Sequence, residues 1–288
     1  MFNVDFFGHK VSKLIVGDNP FNGWSYIPKF VPGSDMKMYY TEEKILEAMH
    51  KMEELGINTM LPLADPFMIR VLSHYRNNGG KMNFIFQTWG PLMTPELWGV
   101  TMRHMQEVEP IGVYLSGTFV DVRRETGRDQ EIKDMLGRMR AMGIPLGICT
   151  HRPENIAEFE NGEGWDFDFY MACMYNARRN REGQESGFLT GKSKGDIDFH
   201  ATDRGEMLEA LQGVKKPILA FKLFAGGQML AEKTEEERRE AIKDAYDTVF
   251  SALKPNDAGV MGVFQKYHDQ LTENVSVFNE WEAEKLAK

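Results

Sequence analysis

Residues 217–230 read PILAFKLFAGGQML. The first half is a short apolar run, Ile218 to Phe221, that breaks at Lys222 and passes into the small residues Ala225, Gly226 and Gly227. An apolar run of this length bounded by turn formers reads as a strand buried on both faces, as in a parallel sheet. With side chains alternating, Ile218, Ala220, Lys222 and Phe224 take one face and Leu219, Phe221 and Leu223 the other. A lysine at this strand end has three readings. Its stem packs while its amine reaches water; it clamps an anion beside the amides of Ala225, Gly226 and Gly227; or it is a reactive amine, which requires a pKa lowered by burial or by cations such as Arg178.

Working outward, the same unit repeats. Strands are predicted over 13–17, 58–63, 83–88, 112–116, 145–150, 168–174, 218–221 and 258–263. Helices follow them, one capped by Thr41 and closed by Gly56 and one opened by Thr94-Pro95; others cover 129–142 and 269–281. Thr234 and Glu237 form a capping box for the helix that runs to Leu253. Eight strand-then-helix units in alternation predict an α/β protein, a single (β/α)8 TIM barrel over residues 1–288, preceded by a β-hairpin turning at Gly8. An open doubly wound sheet is the rival, but no GxGxxG follows the first strand. Two long loops, about 18–40 and 175–202, stand out as binding segments.

The composition fits one such domain. Of 288 residues, 42% are hydrophobic and 27% charged, which describes a chain with a large core. A net charge of −9 argues against nucleic-acid binding. No apolar run is long enough for a membrane span, and the start shows no signal peptide, so a cytoplasmic protein is expected. The two cysteines, Cys149 and Cys173, fall inside predicted strands and read as small buried hydrophobes. A small-molecule substrate is the expected partner; the sequence does not assign an oligomeric state.

Barrels of this kind carry their sites at the carboxyl ends of the strands. That places Asp18, Asn19 and Asn22 after the first strand, Asp65 after the second, and Gln87 and Trp89 at the third. His151 follows the fifth, Tyr175, Asn176 and Arg178 the sixth, and Lys222 the seventh. His151 is a natural acid or base near neutral pH, with a backbone-bonded loop histidine as the rival reading. His151 and Lys222 are the expected proton-transfer groups and Asp18 an orienting carboxylate, with turn capping as its rival. Asn19, Asn22, Gln87, Trp89, Tyr175, Asn176 and Arg178 are the expected substrate contacts. Asp18, Asp65 and His151 suit a divalent metal by type, although no HxH or HExxH spacing is present. Arg178, Arg179 and Arg181, with Lys192, Lys194 and Lys222, suggest a basic patch that favours an anionic ligand.

Several segments resemble the aldo-keto reductases in order and spacing: KVSKLIVG after the hairpin, LGIN before the second strand, GIPLG before the fifth, MYN ending the sixth, LAFKLFAGG at the seventh and GVFQKYHDQLTENVSVF at the last. The resemblance implies the barrel fold and an NADP site, with Asn274 matching an adenine-contacting position. It also implies an Asp, Tyr, Lys and His tetrad, whose positions fall at Leu61, at Asp65 to Phe67, at Thr88 and near Gly117. None of the four is present. At the nicotinamide positions Cys149-Thr150, Ala172, Phe221 and Lys222 replace the family's residues. The expectation is therefore an aldo-keto reductase-like barrel with a non-redox site. It would be an acid–base lyase or isomerase acting on a small anionic or sugar-like keto or hydroxy compound. The alternatives are a divergent NADP-dependent reductase and a non-catalytic ligand-binding barrel.

Overall fold

The computed structural model describes residues 2–88, 90, 93–184 and 197–287. β1 (Asn3–Phe6) and β2 (His9–Ser12) form the expected antiparallel hairpin. Its turn is made by Phe7 and Gly8, both at positive φ. Eight parallel strands then close a barrel in chain order: β3 (Leu14–Gly17), β4 (Thr59–Leu61), β5 (Asn83–Gln87), β6 (Gly112–Leu115), β7 (Leu146–Thr150), β8 (Phe169–Cys173), β9 (Ile218–Phe221) and β10 (Ala258–Gly262). β10 pairs with β3 from Gly259–Leu14 to Gly262–Gly17, which completes the ring.

Each strand is buried on both faces, and alternation divides its side chains between two cores. Ile15, Ile85, Phe169, Met171, Leu219 and Val260 belong to the barrel interior. Leu14, Phe84, Val113, Ile148, Ile218 and Ala220 face the helices. The hairpin closes the amino-terminal end: Val4, Phe6 and Val11 join the interior cluster, and the Phe6 ring meets Phe169 edge-on at 5.0 Å.

The helices among the described residues are α1 (Gly33–Tyr39), α2 (Glu42–Glu54), α3 (Pro66–Asn77), α4 (Pro95–Gln106), α5 (Gly117–Glu125), α6 (Asp129–Arg140), α7 (Pro153–Asn161), α8 (Asp203–Ala210), α9 (Glu235–Ala252) and α10 (Gln270–Leu286). Thr41 and Thr94 cap α2 and α4 by accepting from Lys44 N and Leu97 N, and the Thr234–Glu237 capping box opens α9. None of these helices is long and apolar enough to cross a membrane.

Three features differ from the sequence reading. The loop expected over 18–40 contains α1. The strand after Gly112 runs directly into α5, where no helix was expected. The third is Lys222, whose φ of +58° lies in the left-handed region that side chains rarely adopt. This residue breaks the alternation expected for 218–224, so that Lys222 turns into the barrel mouth while Leu223 joins the helix-side core.

Candidate functional site

A cavity of about 410 Å³ opens at the carboxyl ends of the strands. Asp18, Gln87, His151 and Lys222 all line it. They stand at the ends of β3, β5, β7 and β9, alternate strands of the ring. In an eight-stranded barrel alternate strands supply one layer of side chains. Asp18 and His151 come from strands four places apart, on opposite sides of the mouth, and Gln87 and Lys222 come from the strands between them.

Asp18 follows β3 directly and is buried. Its Oδ2 accepts from Leu63 N at 2.6 Å and from Asn22 Nδ2 at 2.8 Å. Burial pushes its carboxyl up to about 7; the two hydrogen bonds oppose this and Asp65 reinforces it. The group therefore exchanges a proton near neutrality. Asn22, expected to touch substrate, instead holds this carboxylate. Asn19 lines the cavity, and its carbonyl accepts from Trp24 N at 2.8 Å. The Gln87 Oε1 accepts from the Tyr114 hydroxyl at 3.1 Å. Burial pushes that phenol well up, with Cys149 and Asp18 adding to the effect, so Tyr114 presents a neutral hydroxyl beneath the mouth.

Opposite Asp18, the His151 ring is set by α5. Its Nδ1 lies 2.7 Å from Asp121 Oδ2, and its backbone N–H donates to the same oxygen at 3.1 Å. Thr150 Oγ1 and Asn155 Nδ2 donate to the other oxygen at 2.6 and 3.1 Å. Asp121 is fully buried. α5 comes this close because it begins at Gly117, where an added Cβ would lie 2.7 Å from His151 Cε1 and 2.8 Å from Cys149 Sγ. The position to which the resemblance assigns a histidine is thus the seat of a different one. Sequence reasoning missed Asp121, although a lone carboxylate within Phe119-Val120-Asp121-Val122 was a visible signal.

The Lys222 ammonium lies between aromatic faces, 4.6 Å from the Phe221 ring centre and 4.7 Å from that of Tyr26. Burial works against its charge, while the two ring faces and the Tyr26 hydroxyl favour it; Cys173 and Cys149 would add to this only as thiolates, and burial keeps both neutral. No carboxylate pairs with it among the described residues, and its readings as a cation and as a reactive amine at the mouth both stand. The anion clamp expected over Ala225, Gly226 and Gly227 is also revised. Ala225 N donates to Lys222 O and Gly227 N to Phe224 O within the turn, and Ala225 packs into the helix-side core. Gly226 and Gly227 line the cavity but face Tyr26 and Ile27. A Cβ on Gly226 would come within 2.7 Å of the Tyr26 Cβ, and Gln228 Nε2 donates to Tyr26 O at 3.0 Å. The turn thus seats the segment that follows β3, which lies over the mouth.

The residues expected after the sixth strand lie outside this cavity. Arg178 is buried against Glu125, with Nη2–Oε2 at 2.6 Å and Nε–Oε1 at 3.0 Å. It anchors α5 and is no substrate clamp. The Asn176 Oδ1 accepts from Arg178 N and Arg179 N, and Arg179 pairs with Asp203. The Tyr175 hydroxyl reaches Met229 Sδ at 3.8 Å. Trp89, Lys192 and Lys194 lie outside the described residues. Asp65 caps α3, accepting from Phe67 N and Met68 N through Oδ1. Among the described residues no three His, Cys, Asp or Glu side chains converge to hold a metal ion. Burial pushes the Cys149 and Cys173 thiols up, and neither is activated.

An NADP cofactor fits this site poorly. Of the positions the resemblance assigns to the nicotinamide, Thr150 bonds Asp121, Ala172 faces the helix-side core without a polar group, and Phe221 meets the His151 ring edge-on at 5.5 Å. At the far end of the cavity Asn274 is buried, with Oδ1 lacking a partner. Of the cations that line the cavity there, Arg238 pairs with Glu273, whereas Lys233 has no carboxylate partner among the described residues.

No family model and no curated protein matches the chain in sequence. Solved structures do. An aldo-keto reductase from Bacillus halodurans in its holo form aligns over 96% of this chain and 89% of its own, at TM-score 0.57 and 12% identity. A glycerol dehydrogenase from Gluconobacter oxydans aligns over 98% and 94%, at 0.56 and 9%. An aldo/keto reductase from Brucella melitensis aligns over 94% and 91%, at 0.52 and 10%. Identities this low speak to architecture alone. The chain is an α/β TIM barrel whose fold is that of the aldo-keto reductases.

Proposed function

We propose that this barrel is an acid–base isomerase or lyase acting on a small keto or hydroxy compound. One observation carries the reading: a carboxyl that titrates near 7 and an imidazole stand on opposite sides of one mouth, with the Lys222 amine on a strand between them. One of the pair removes a proton from the carbon beside a carbonyl, and the electron pair moves onto the carbonyl oxygen. Lys222 stabilises that oxyanion, and the group opposite returns a proton either to the neighbouring carbon, as the proton of the substrate's own hydroxyl passes to the oxyanion, or to a departing hydroxyl as the carbonyl re-forms. The Tyr114 hydroxyl and Gln87 offer hydrogen bonds to the substrate's own hydroxyls. Lys222 also supports an acidic substrate, now without help from Arg178.

The test is solvent deuterium incorporation into a panel of ketoses and keto and hydroxy acids, followed by NMR. Asp18→Asn and His151→Gln should each slow exchange by roughly 10²- to 10⁴-fold. Lys222→Met should slow it by about 10²- to 10³-fold. The rival is a divergent NADP-dependent reductase. Tight NADPH binding together with carbonyl-dependent NADPH oxidation would sink our reading and establish that one.

A further inference from the structure

We infer that Asp121 is a positioning residue that fixes His151 as the Nδ1-protonated tautomer, leaving Nε2 as the atom that exchanges protons with substrate. The inference rests on the acid–base reading above and assigns an atom to it. Asp121 receives four donors, two on each oxygen: Thr150 Oγ1 and Asn155 Nδ2 on Oδ1, His151 N and His151 Nδ1 on Oδ2. The backbone N–H and the amide NH₂ can only donate, and the Thr150 hydroxyl, whose oxygen already accepts from Arg152 N and Asn155 Nδ2, turns its proton to Asp121. The group so surrounded is an acceptor-only carboxylate, and the ring nitrogen 2.7 Å away must then carry the proton. Neutral imidazole has one N–H, so a proton on Nδ1 makes Nε2 the basic nitrogen.

The surroundings restrict the ring further. Gly117 closes one side and Phe221 meets it edge-on from another. Thr150 and Asn155 also bond each other at 2.9 Å, so the carboxylate is held from β7 and α7 as well as α5. Other ionisable groups coupled to Asp121 include Cys149 from β7, Cys173 from β8 and Arg152 beside the histidine. Arg152 is paired with Glu125 and Glu154, and burial keeps both thiols neutral. Among the described residues, Asp121 is a carboxylate in contact with the ring.

The experiment is nitrogen-detected NMR of the histidine rings in the full chain, with His151→Gln used to assign the signal. The wild-type protein above the imidazole pKa should show a protonated Nδ1 and an unprotonated Nε2 at His151. Asp121→Ala should shift the proton toward Nε2 and lower the imidazole pKa by one unit or more, since an opposite charge at contact favours the cation. Asn155→Ala, which removes a donor and leaves the carboxylate, should keep the tautomer. A wild-type ring protonated on Nε2 overturns the inference, with no variant needed. So does an Asp121→Ala protein whose amide spectrum is folded but whose His151 tautomer and pKa are unchanged. Deuterium exchange is read separately: the expected tautomer without exchange in any substrate rejects the enzyme reading and leaves the positioning role intact.

Discussion

Asp18 is where a single side chain ties function to stability. Its carboxyl titrates at about 7 in the folded protein and near 3.8 when exposed, so the native state binds the proton more tightly. Stability therefore falls as pH rises through this window. The penalty is absent below about pH 4, grows between 4 and 7, and is complete above 7. A displacement of about three units corresponds to about 4 kcal/mol. Asp18→Asn keeps an oxygen for Leu63 N and removes the charge. Urea melts at pH 5 and pH 8 should show a variant that lacks this slope and is more stable than wild type at pH 8. A variant less stable than wild type at pH 8 would mean that the carboxylate is not strained by burial. Lys222 shows the same tendency, since its left-handed backbone costs roughly 1–2 kcal/mol and turns the ammonium into the mouth. Sequence showed that these two residues lie at strand ends. It did not show the direction of Lys222, because period-two alternation assumes an extended backbone and Lys222 leaves it.

Among the elements, those with regular apolar spacing were legible and those held by a few specific contacts were not. The strands and most helices follow from buried runs and caps such as Thr41, Thr94 and Thr234. α1 escaped notice because it buries only Met36 and is held through Asp35, which bonds Lys266 and Tyr267 far along the chain. α5 escaped because it starts directly at the end of β6 with no side-chain cap, so strand and helix merge into one apolar stretch. Both omissions affected the reading of the site. Without α5 there was no Asp121, and Arg178 was left to be read as a free clamp. Without the contacts of the 18–40 segment, the Ala225-Gly226-Gly227 turn looked like an anion cradle. It is in fact a seat for Tyr26, which makes Gly226 the residue to test. Gly226→Ala puts a Cβ within 2.7 Å of the Tyr26 Cβ at a φ of +61°. Hydrogen exchange across 24–36 should accelerate in that variant, while the amides of β7 and β8 keep wild-type protection. Equal acceleration in the strands would indicate general unfolding and deny the turn its local role.

The two ends of the barrel are built for different purposes. At the carboxyl ends the interior layer is polar and strained, with a buried titrating acid and a clamped histidine. At the amino ends the hairpin closes it with an apolar plug, Phe6 against Phe169 at 5.0 Å, fastened where Asn58 and Asn83 Nδ2 donate to Lys10 O; Gly112 is kept small, since a Cβ there would meet Phe6 Cε1 and Ile85 Cγ2 at 3.3 Å. Phe6 is among the largest fully buried side chains of the chain. Removing it leaves a cavity lined by rigid strands that cannot collapse inward, so Phe6→Ala should cost about 3–5 kcal/mol. The denaturant midpoint should drop while the slope of the transition stays unchanged. Because the site is at the other end and shares no partner with Phe6, its properties should be additive with this loss. The Phe6→Ala protein, where folded, should keep the His151 tautomer, and the double variant with Asp18→Asn should recover at pH 8 the stability that Asp18→Asn adds to wild type. A tautomer that moves with Phe6→Ala, or non-additive stabilities, would mean that the ends are coupled through the interior layers and that the scaffold and the site are a single unit.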